Sequence, residues 1–424
     1  MTGSDLPLLL TPIPGPRSQG WVDRLSQREC PAITARRARR AALLGRADDD
    51  PPVWVAARGC NVEDVDGNVL VDLTAGFGAA LVGHAHPDVV SAAQDQVQVL
   101  VHAMGDAFFH PGRVRLLERI AEITGLDRSI LGCSGSDAVD AALKTARVAT
   151  GRDRVLAFEG AYHGLSSSVL AATAFMAPAM RAPFQNMLGH HVTHVPFGGE
   201  LPPLEGFAAV LLEPIQGRGG VNVPPTGWLE TVARRTREAG ALLVLDEVFT
   251  GLGRCGAWSL GRSWGVLPDL LCIGKGLADG FPISACVGTA AVMDAWGAST
   301  GPALHTQTFL GQPVGCAMAL ATLNVLERED LPARAAAVGT RFMEALRAVP
   351  GVRAVRGRGL LVGAVLADGR TALAASRALL RRGWIVLPAG ERGDVLEFTP
   401  PLTIPTALLD AAVEALTEVL REGP

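Results

Sequence analysis

Three short apolar runs constrain the fold of this chain most. They are AAVLLEP at 208–214, LLVLDEV at 242–248 and LLCIGKG at 270–276. In each run the apolar part has the length of one strand and is followed by a charged residue. These charged residues are Glu213, Asp246 and Lys275. Uninterrupted apolar runs of this length are typical of strands buried on both faces of a parallel sheet. Because ligands of such sheets bind beyond the carboxyl ends of the strands, the three charged side chains are candidates for one site.

Lysine is almost absent from the sequence, which draws attention to the one that ends the third run. Of the 38 basic residues, only Lys144 and Lys275 are lysines. A guanidinium stays protonated and cannot form a Schiff base with an aldehyde, whereas a lysine amine can. A lysine after a strand can also be a salt-bridged or solvent-reaching side chain. The acid at the end of a preceding strand favours amine chemistry at Lys275.

Two further features of the sequence suit the binding of a ligand that carries a phosphate group and an aromatic ring. Residues 131–151 read as a turn that feeds a helix, with Gly135 and Ser136 at its start. The free N–H groups and the dipole of a helix N-terminus bind phosphate, although serine is also an ordinary helix cap. Tyr162, the only tyrosine, follows another predicted strand and offers an aromatic face for stacking.

Composition excludes several classes of function. A net charge of -4 and a pI near 6.2 predict no nucleic-acid partner, and we interpret the basic run at 33–47 as a solvated helix face. No apolar stretch is long enough for a membrane span, and the N-terminus lacks the pattern of a signal peptide. Seven scattered cysteines without a CxxC pair favour a reducing, cytoplasmic location. We predict no bound metal, although His84 and His86 have a spacing that suits one.

The alternation of helices and strands from about residue 88 to Lys275 predicts a doubly wound α/β domain. Residues 330–424 instead read as a smaller α+β unit with its own core. The motifs SGSDA, YHG, EPIQG, LDEVFTGLGRCG, GKG, HTQTF and GQP occur in this order. In that order they resemble the class III (ω-) aminotransferase family of pyridoxal-phosphate enzymes, fold type I, over roughly residues 30 to 420. We therefore divide the chain into an N-terminal arm with part of the small domain (1–65), a large cofactor-binding domain (66–315) and a C-terminal small domain (316–424).

The resemblance implies roles for individual residues. Lys275 would form the Schiff base and act as general acid and base, and Asp246 would pair with the pyridinium nitrogen. Tyr162 would stack on one ring face and Val248 would pack on the other. The other expected cofactor contacts are Gly135 and Ser136 at the phosphate, Thr308 reaching the phosphate from the second subunit of a homodimer, His163 and Glu213. A homodimer is implied because the active sites of the family lie at the subunit interface.

Departures from the family pattern concern the substrate. Many members that use amino acids have an arginine for the substrate carboxylate where this sequence has Glu397, and a glutamate that pairs with it where this sequence has Arg218. We hypothesise that Arg218 receives the carboxylate, while Glu397 swings away or recognises a cationic or hydroxylated substrate end. Alternatively, both side chains are surface-exposed and the exchange is neutral. Phe249 replaces a family glutamine and makes the pocket more apolar, and Phe77 is a third candidate substrate contact.

The sequence thus predicts transfer of an amino group between an amine, ω-amino acid or amino acid and a 2-oxo acid, with pyridoxal 5'-phosphate as cofactor. An amino-acid racemase or epimerase is the nearest alternative, because the same lysine can return a proton to the opposite face of the α-carbon. A non-enzymatic binding protein of the same fold is the third reading, and the presence of both Lys275 and Asp246 speaks against it.

Overall fold

A seven-stranded sheet is the centre of the computed structural model, which describes residues 1–31, 42–45, 50–298 and 301–423. In the described residues the strands are β1 (Trp54–Arg58), β2 (Asn61–Asp64), β3 (Val69–Asp72), β4 (Arg128–Gly132), β5 (Arg154–Phe158), β6 (Val192–Val195), β7 (Phe207–Leu212), β8 (Leu242–Asp246), β9 (Leu270–Ile273), β10 (Ser284–Gly288), β11 (Ala354–Arg358), β12 (Leu361–Val365), β13 (Trp384–Ile385), β14 (Leu387–Ala389) and β15 (Val395–Phe398). The longer helices are α1 (Pro16–Ser26), α2 (Pro87–Val99), α3 (Pro111–Thr124), α4 (Gly135–Thr150), α5 (Trp228–Glu238), α6 (Pro313–Arg328), α7 (Leu331–Arg347), α8 (Gly369–Arg381) and α9 (Thr406–Glu422).

The central sheet has the strand order β4-β10-β9-β8-β7-β5-β6. The pairs from β9 through β6 are parallel, and β10 is antiparallel to both of its neighbours. The three apolar runs form the adjacent strands β7, β8 and β9. The prediction of a mostly parallel sheet is confirmed.

Helices cover both faces of this sheet. Val244 of β8 packs in one buried cluster with the small residues of α4, such as Ala138 and Ala142. Leu243 and Leu245, which alternate with Val244, belong to the cluster on the other face, together with residues of α3 and α6. Since successive side chains of a strand point to opposite faces, a continuous apolar run fills both layers.

The chain ends share the smaller α+β part of the structure. Strands β11, β12, β15 and β14 form an antiparallel sheet. A second small sheet has the order β1-β2-β3-β13, so the C-terminal strand β13 pairs in parallel with β3 from the N-terminal part. The predicted boundary between residues 65 and 66 falls in the loop between β2 and β3. That division of the chain remains a prediction, and the shared sheet favours a boundary after β3.

Other expectations concern metals, membranes and cysteines. His84 contacts Asp72, with 2.9 Å between Nε2 and Oδ2, and the described residues contain no cluster of three or more potential metal ligands. In the same part of the chain, no helix is both long and apolar enough to cross a bilayer. All seven cysteines are free thiols, and the cytoplasmic location stays a prediction. Most of the basic run at 33–47 lies outside the described residues.

Candidate active site

A cavity of about 200 Å³ opens at the carboxyl edge of the central sheet. Its lining consists of Ser134, Gly135, Ser136, Tyr162, His163, Gly164, Glu213, Arg218, Asp246, Val248, Phe249 and Lys275. These residues follow strands β4, β5, β7, β8 and β9, so loops from one edge of the sheet build the whole cavity. The structure therefore brings together every predicted cofactor contact except Thr308, along with the predicted substrate residue Arg218 and the predicted pocket residue Phe249. It adds Ser134 and Gly164.

Lys275 lies two residues after β9 and carries its amine into the cavity. Its φ of +43° is in the left-handed region, a conformation that non-glycine residues adopt at a cost and that is frequent at functional sites. Nζ lies 4.1 Å from the ring centroid of Phe249. Burial lowers the pKa of Lys275, and the carboxylates of Asp246 and Glu213 oppose that shift. A lowered pKa increases the fraction of neutral amine, the form that attacks an aldehyde.

Asp246 ends β8 and is held by two donors. His163 Nδ1 lies 2.8 Å from Asp246 Oδ2, and the N–H of Val248 donates to Oδ1 at 3.1 Å. Asp246 and His163 are both buried, and His163 Nε2 has no hydrogen-bond partner among the described residues. The pair places a fixed carboxylate at the floor of the cavity.

Glu213 joins two loops of the cavity. Its Oε1 accepts the N–H of Tyr162 at 2.9 Å, and its Oε2 accepts the N–H of Gly217 at 3.1 Å. Burial raises the pKa of Glu213 to about 7; the nearby charge of Asp246 adds to the shift, and His163 opposes it. Glu213 thus fixes the loop that presents the Tyr162 ring.

The N-terminus of α4 forms the other end of the cavity. Ser134 caps the helix by accepting the N–H of Asp137, whose carboxylate in turn accepts the N–H of Ser134. The N–H groups of Gly135 and Ser136 are in the first turn, where a helix supplies no acceptor. A Cβ on Gly135 would lie 2.9 Å from Val248 Cγ1, and one on Gly164 would lie 2.0 Å from Ser136 Oγ. Glycine at both positions lets the surrounding loops approach the helix end closely.

Arg218 and Glu397 are buried to different extents. Arg218 is half-buried in the cavity wall, and its guanidinium carbon lies 5.7 Å from the ring centroid of Phe175. Glu397 lies on β15 and is only 6% exposed, so the alternative that both charges lie at the surface is wrong. Burial raises the pKa of Glu397, while the charges of Arg218, Lys275 and Arg254 act to lower it.

Besides the buried Glu397, which does not line the cavity, two predicted contacts lie outside the cavity of a single chain. Thr308 is exposed, and Phe77 is 53% exposed with a φ of +66°. Neither is among the residues that line the cavity. Their assignment to cofactor and substrate therefore stays a prediction.

Residues 46–420 match the family described as Aminotransferase class-III. The chain belongs to this family. It is 38% identical over 388 residues to the acetylornithine aminotransferase of Mycolicibacterium smegmatis, covering 90% of this chain and 96% of that protein. It is also 34% identical over 403 residues to the alanine/serine racemase of Pyrococcus horikoshii, covering 85% of this chain and 84% of that protein.

Solved structures agree with this assignment. The ornithine aminotransferase from Toxoplasma gondii ME49 superposes with a TM-score of 0.83 at 29% identity, covering 97% of each chain. A PLP-bound amine transaminase from an uncultivated Pseudomonas species gives a TM-score of 0.81 at 29% identity, covering 89% of this chain and 96% of that one. The chain has fold type I and is a pyridoxal-phosphate enzyme that transfers an amino group from an amine to a 2-oxo acid.

The cavity of this aminotransferase fits that cofactor chemically. The open N–H groups at the start of α4 suit a phosphate, and the amine of Lys275 lines the same cavity. Asp246 would offer a negative charge to a protonated ring nitrogen, and Tyr162 and Val248, which line the same cavity, would border the ring. Phe249, by contrast, has no group that could bond to a ring hydroxyl.

Sequence reasoning missed Arg254, the buried arginine beside Glu397. Arg254 is 1% exposed and donates through Nη1 to the carbonyls of Leu360 and Pro400. Burial lowers the pKa of Arg254 to about 10, and the charge of Glu397 acts to raise it. A signal was present, since Arg254 stands in the motif LDEVFTGLGRCG, but its hydrogen-bond partners lie 106 and 146 residues away along the chain.

Glu213 makes the stability of the cofactor-free aminotransferase depend on pH. The folded chain holds the Glu213 proton up to a pKa of about 7, against 4.5 for an ordinary glutamate. The contribution of Glu213 to stability is therefore complete below about pH 4.5 and is lost as the pH rises to about 7, by on the order of 3 kcal/mol. Urea unfolding from pH 4.5 to 8 should show this fall in the wild type and a smaller one in Glu213→Gln. Parallel curves for the two proteins would contradict the assignment.

Phe249 depends on glycine at position 217. A Cβ at Gly217 would lie 2.1 Å from Phe249 Cδ1, so Gly217→Ala should displace the ring and cost about 1–3 kcal/mol of stability. The cost should largely vanish in a Phe249→Leu background, because the clashing ring is gone. Gly20→Ala is the control for a glycine in open space, since a Cβ at Gly20 meets nothing within 4 Å; because Gly20 lies inside α1, this change should raise stability by up to about 1 kcal/mol. Chemical denaturation of the wild type, Gly217→Ala, Phe249→Leu and the double variant measures the coupling free energy between the two positions. Gly20→Ala is measured in parallel.

Proposed function

We propose that Lys275 binds the cofactor covalently and carries the proton between the substrate α-carbon and the cofactor, while Asp246 keeps the ring nitrogen protonated. The observation that supports this most is the convergence of the Lys275 amine, the His163–Asp246 pair and the N-terminus of α4 in one cavity. The cofactor, when bound, supplies an aldehyde for the amino group and a ring that accepts electrons when the α-proton leaves.

The other lining residues bind and orient. Gly135 and Ser136 hold the phosphate through their N–H groups. His163 donates to Asp246 and keeps its carboxylate in place. Tyr162 stacks on the ring, and Val248 packs against its other face. Arg218 binds the carboxylate of the 2-oxo acid, because a guanidinium at the cavity wall is a favoured partner for a carboxylate.

The test is a half-reaction. The purified enzyme is incubated with amines and amino acids in the absence of any oxo acid, and the absorbance of the cofactor is recorded. The aldehyde form should convert to the amine form, and a 2-oxo acid should then restore it. A racemase, the function suggested by the Pyrococcus horikoshii relative, would instead keep the aldehyde form while an amino acid exchanges its α-hydrogen with D₂O. A protein without a cofactor band would overturn the role of Lys275.

The homodimer is part of the same proposal. Val101, Met104, Phe108, Phe109 and Phe309 are exposed, and the ring centroids of His102 and Phe309 lie 5.5 Å apart, so the two segments share one surface. Exposed apolar patches of this kind mark protein interfaces. Thr308 adjoins Phe309 in this patch, and a second copy packed there would bring Thr308 to the phosphate of its partner.

Thr308→Ala should weaken cofactor binding about tenfold, the effect of losing one hydrogen bond to a charged group. Thr306→Ala, an exposed neighbour with the same side chain, is the control and should bind the cofactor as the wild type does. Fluorescence titration measures the cofactor affinity, and analytical ultracentrifugation measures the mass. A monomer that binds the cofactor with full affinity would refute the shared site.

A further inference from the structure

The turn that carries Lys275 has little backbone bonding of its own. Residues Lys275–Ala278 form a single 3₁₀ turn after β9, in which the N–H of Leu277 donates to the carbonyl of Gly274 at 3.0 Å. Lys275 and Asp279, at the two ends of the turn, have left-handed backbones with φ of +43° and +49°. Such conformations cost non-glycine residues free energy and persist where the surroundings fix them. Contacts from other segments must therefore hold this turn.

The segment 78–82 supplies two such contacts. The N–H of Val82 donates to Oδ1 of Asp279, with 2.9 Å between nitrogen and oxygen. Leu81 is buried and packs on the turn so closely that a Cβ on Gly276 would lie 2.7 Å from Leu81 Cβ. Burial raises the pKa of Asp279 to about 7, and the Val82 hydrogen bond opposes that shift, so the bond favours the carboxylate. Asp279 thus ties the end of the turn to this segment.

The same segment fixes the ring that faces the lysine amine. A Cβ on Gly78 would lie 2.5 Å from Phe249 Cε2, and the centroid of the Phe249 ring lies 4.1 Å from Lys275 Nζ. The segment is itself held from the C-terminal part of the chain, because the N–H of Leu402 donates to the carbonyl of Leu81 at 2.8 Å. It therefore connects a fixed part of the fold to both the backbone turn and the amine.

We propose that Asp279 is a positioning residue for Lys275, whose hydrogen bond to Val82 keeps the amine against Phe249 in one orientation within the cavity. Asp279 is not among the residues that line the cavity, so it acts through the backbone of the turn and not on the substrate. The largest charge effects on the pKa of Lys275 come from four other side chains, which leaves the hydrogen bond as the route of action. The proposal rests on the role of Lys275 proposed above.

Three substitutions at position 279 separate the hydrogen bond from the backbone conformation. Asp279→Asn keeps an oxygen acceptor and tolerates the left-handed region, Asp279→Gly removes the acceptor without strain, and Asp279→Ala removes the acceptor and adds strain. Asp330 offers the matched control, because it is an exposed aspartate with a φ of +44° that makes no side-chain cap to α7. Asp330→Gly and Asp330→Ala repeat the same chemical changes away from the cavity. Chemical denaturation shows which variants fold, and the Asn and Gly variants decide the test if Asp279→Ala does not.

The reactivity of the Lys275 amine in the cofactor-free protein is measured first, because it requires no turnover. Trace acetic anhydride labels neutral amines, and mass spectrometry follows the Lys275 peptide against the Lys144 peptide over about pH 7 to 11. In Asp279→Gly and Asp279→Ala the released amine should be better solvated, so its pKa should rise. Its neutral fraction at about pH 8 should then fall about tenfold. Asp279→Asn and both Asp330 variants should match the wild type.

The holoenzyme gives a second readout. In Asp279→Gly the maximal rate of the half-reaction should fall at least about tenfold, while the apparent dissociation constant of the donor changes less than about twofold, because a misoriented amine slows proton transfer and leaves donor binding intact. Asp279→Asn should restore the rate. A loss of donor affinity at an unchanged rate would contradict the proposal.

The labelling experiment can also refute the role of Asp279 by itself. An unchanged neutral fraction of Lys275 in Asp279→Gly, an equal loss in Asp279→Asn, or the same loss in Asp330→Gly would each overturn the proposal. A loss seen only in Asp279→Ala would assign the effect to backbone strain and leave the carboxylate without a role. If no donor alters the cofactor spectrum of the wild type, the transaminase function fails, while the labelling still decides the role of Asp279.

Discussion

Lys275→Ala should abolish amino transfer, with a loss of at least about 10⁴-fold in the half-reaction rate. The variant loses both the amine that binds the cofactor covalently and the group that moves the α-proton, and no second lysine lines the cavity among the described residues. The fold should survive, because alanine removes a buried ammonium whose desolvation opposes folding. Stopped-flow absorbance with saturating donor measures the loss.

The scarcity of lysine makes this prediction unusually clean. Lys144 is the other lysine of the chain; it is exposed on α4 and pairs with Asp140 at 2.9 Å. Lys144→Ala should therefore retain the cofactor and the rate of the wild type. Borohydride reduction followed by peptide mass mapping should find the cofactor attached at Lys275 in the wild type and at neither site in Lys275→Ala. An adduct on Lys144, or a rate in Lys275→Ala within tenfold of the wild type, would contradict the assignment.

The sequence predicted the position of the site because its signals are local. An apolar run of strand length can be recognised without a partner, and β7, β8 and β9 each carry one. Glu213, Asp246 and Lys275 lie at or just beyond the ends of these strands. Parallel neighbours end at the same edge of a sheet, so the charges converge once the strands are adjacent. The start of α4 was predictable for the same reason, since capping residues and the helix lie within one short stretch.

Contacts between distant segments could not be predicted from such signals. Asp246 and His163 are 83 residues apart and Tyr162 and Glu213 are 51 apart, so their pairing depends on the order of β5, β7 and β8 in the sheet. The fit of Phe249 against Gly217 likewise depends on how two separate segments pack against each other. Thr308 poses a different limit, because the role proposed for it in a partner chain would leave no contact within its own chain.

The reversed charges at Arg218 and Glu397 illustrate what a sequence pattern leaves open. Their exchange relative to the family was visible in the sequence, but burial decides which interpretations survive. Because Glu397 is buried and Arg218 is half-buried, a neutral surface exchange is excluded. A buried carboxylate has either to be neutralised or to meet a cation, and the buried Arg254 beside Glu397 is such a cation.

Asp246→Asn should lower the half-reaction rate by about 10²–10³-fold while leaving the cofactor bound, a loss typical of removing one preorganised electrostatic contact. A neutral amide cannot hold the proton on the ring nitrogen, so the ring accepts electrons less readily when the α-proton leaves. His163 Nδ1 also loses a charged acceptor at 2.8 Å. The loss should fall on the maximal rate and on α-proton exchange, both measured in single turnovers, and far less on the affinity for the donor.

Glu213→Gln is the matched comparison for Asp246→Asn, because both changes neutralise a buried carboxylate of the same cavity. Glu213 accepts two backbone N–H groups and holds a proton up to about pH 7, so its charge is already partly absent at neutral pH. We expect Glu213→Gln to slow the half-reaction by no more than about tenfold, mainly by loosening the Tyr162 loop. If the two variants lost the same factor, the cavity would respond to any missing carboxylate and Asp246 would have no distinct role at the ring nitrogen. If only Asp246→Asn slows the half-reaction, and this variant binds the cofactor at the normal rate, the result supports the role of Asp246 in holding the proton on the ring nitrogen.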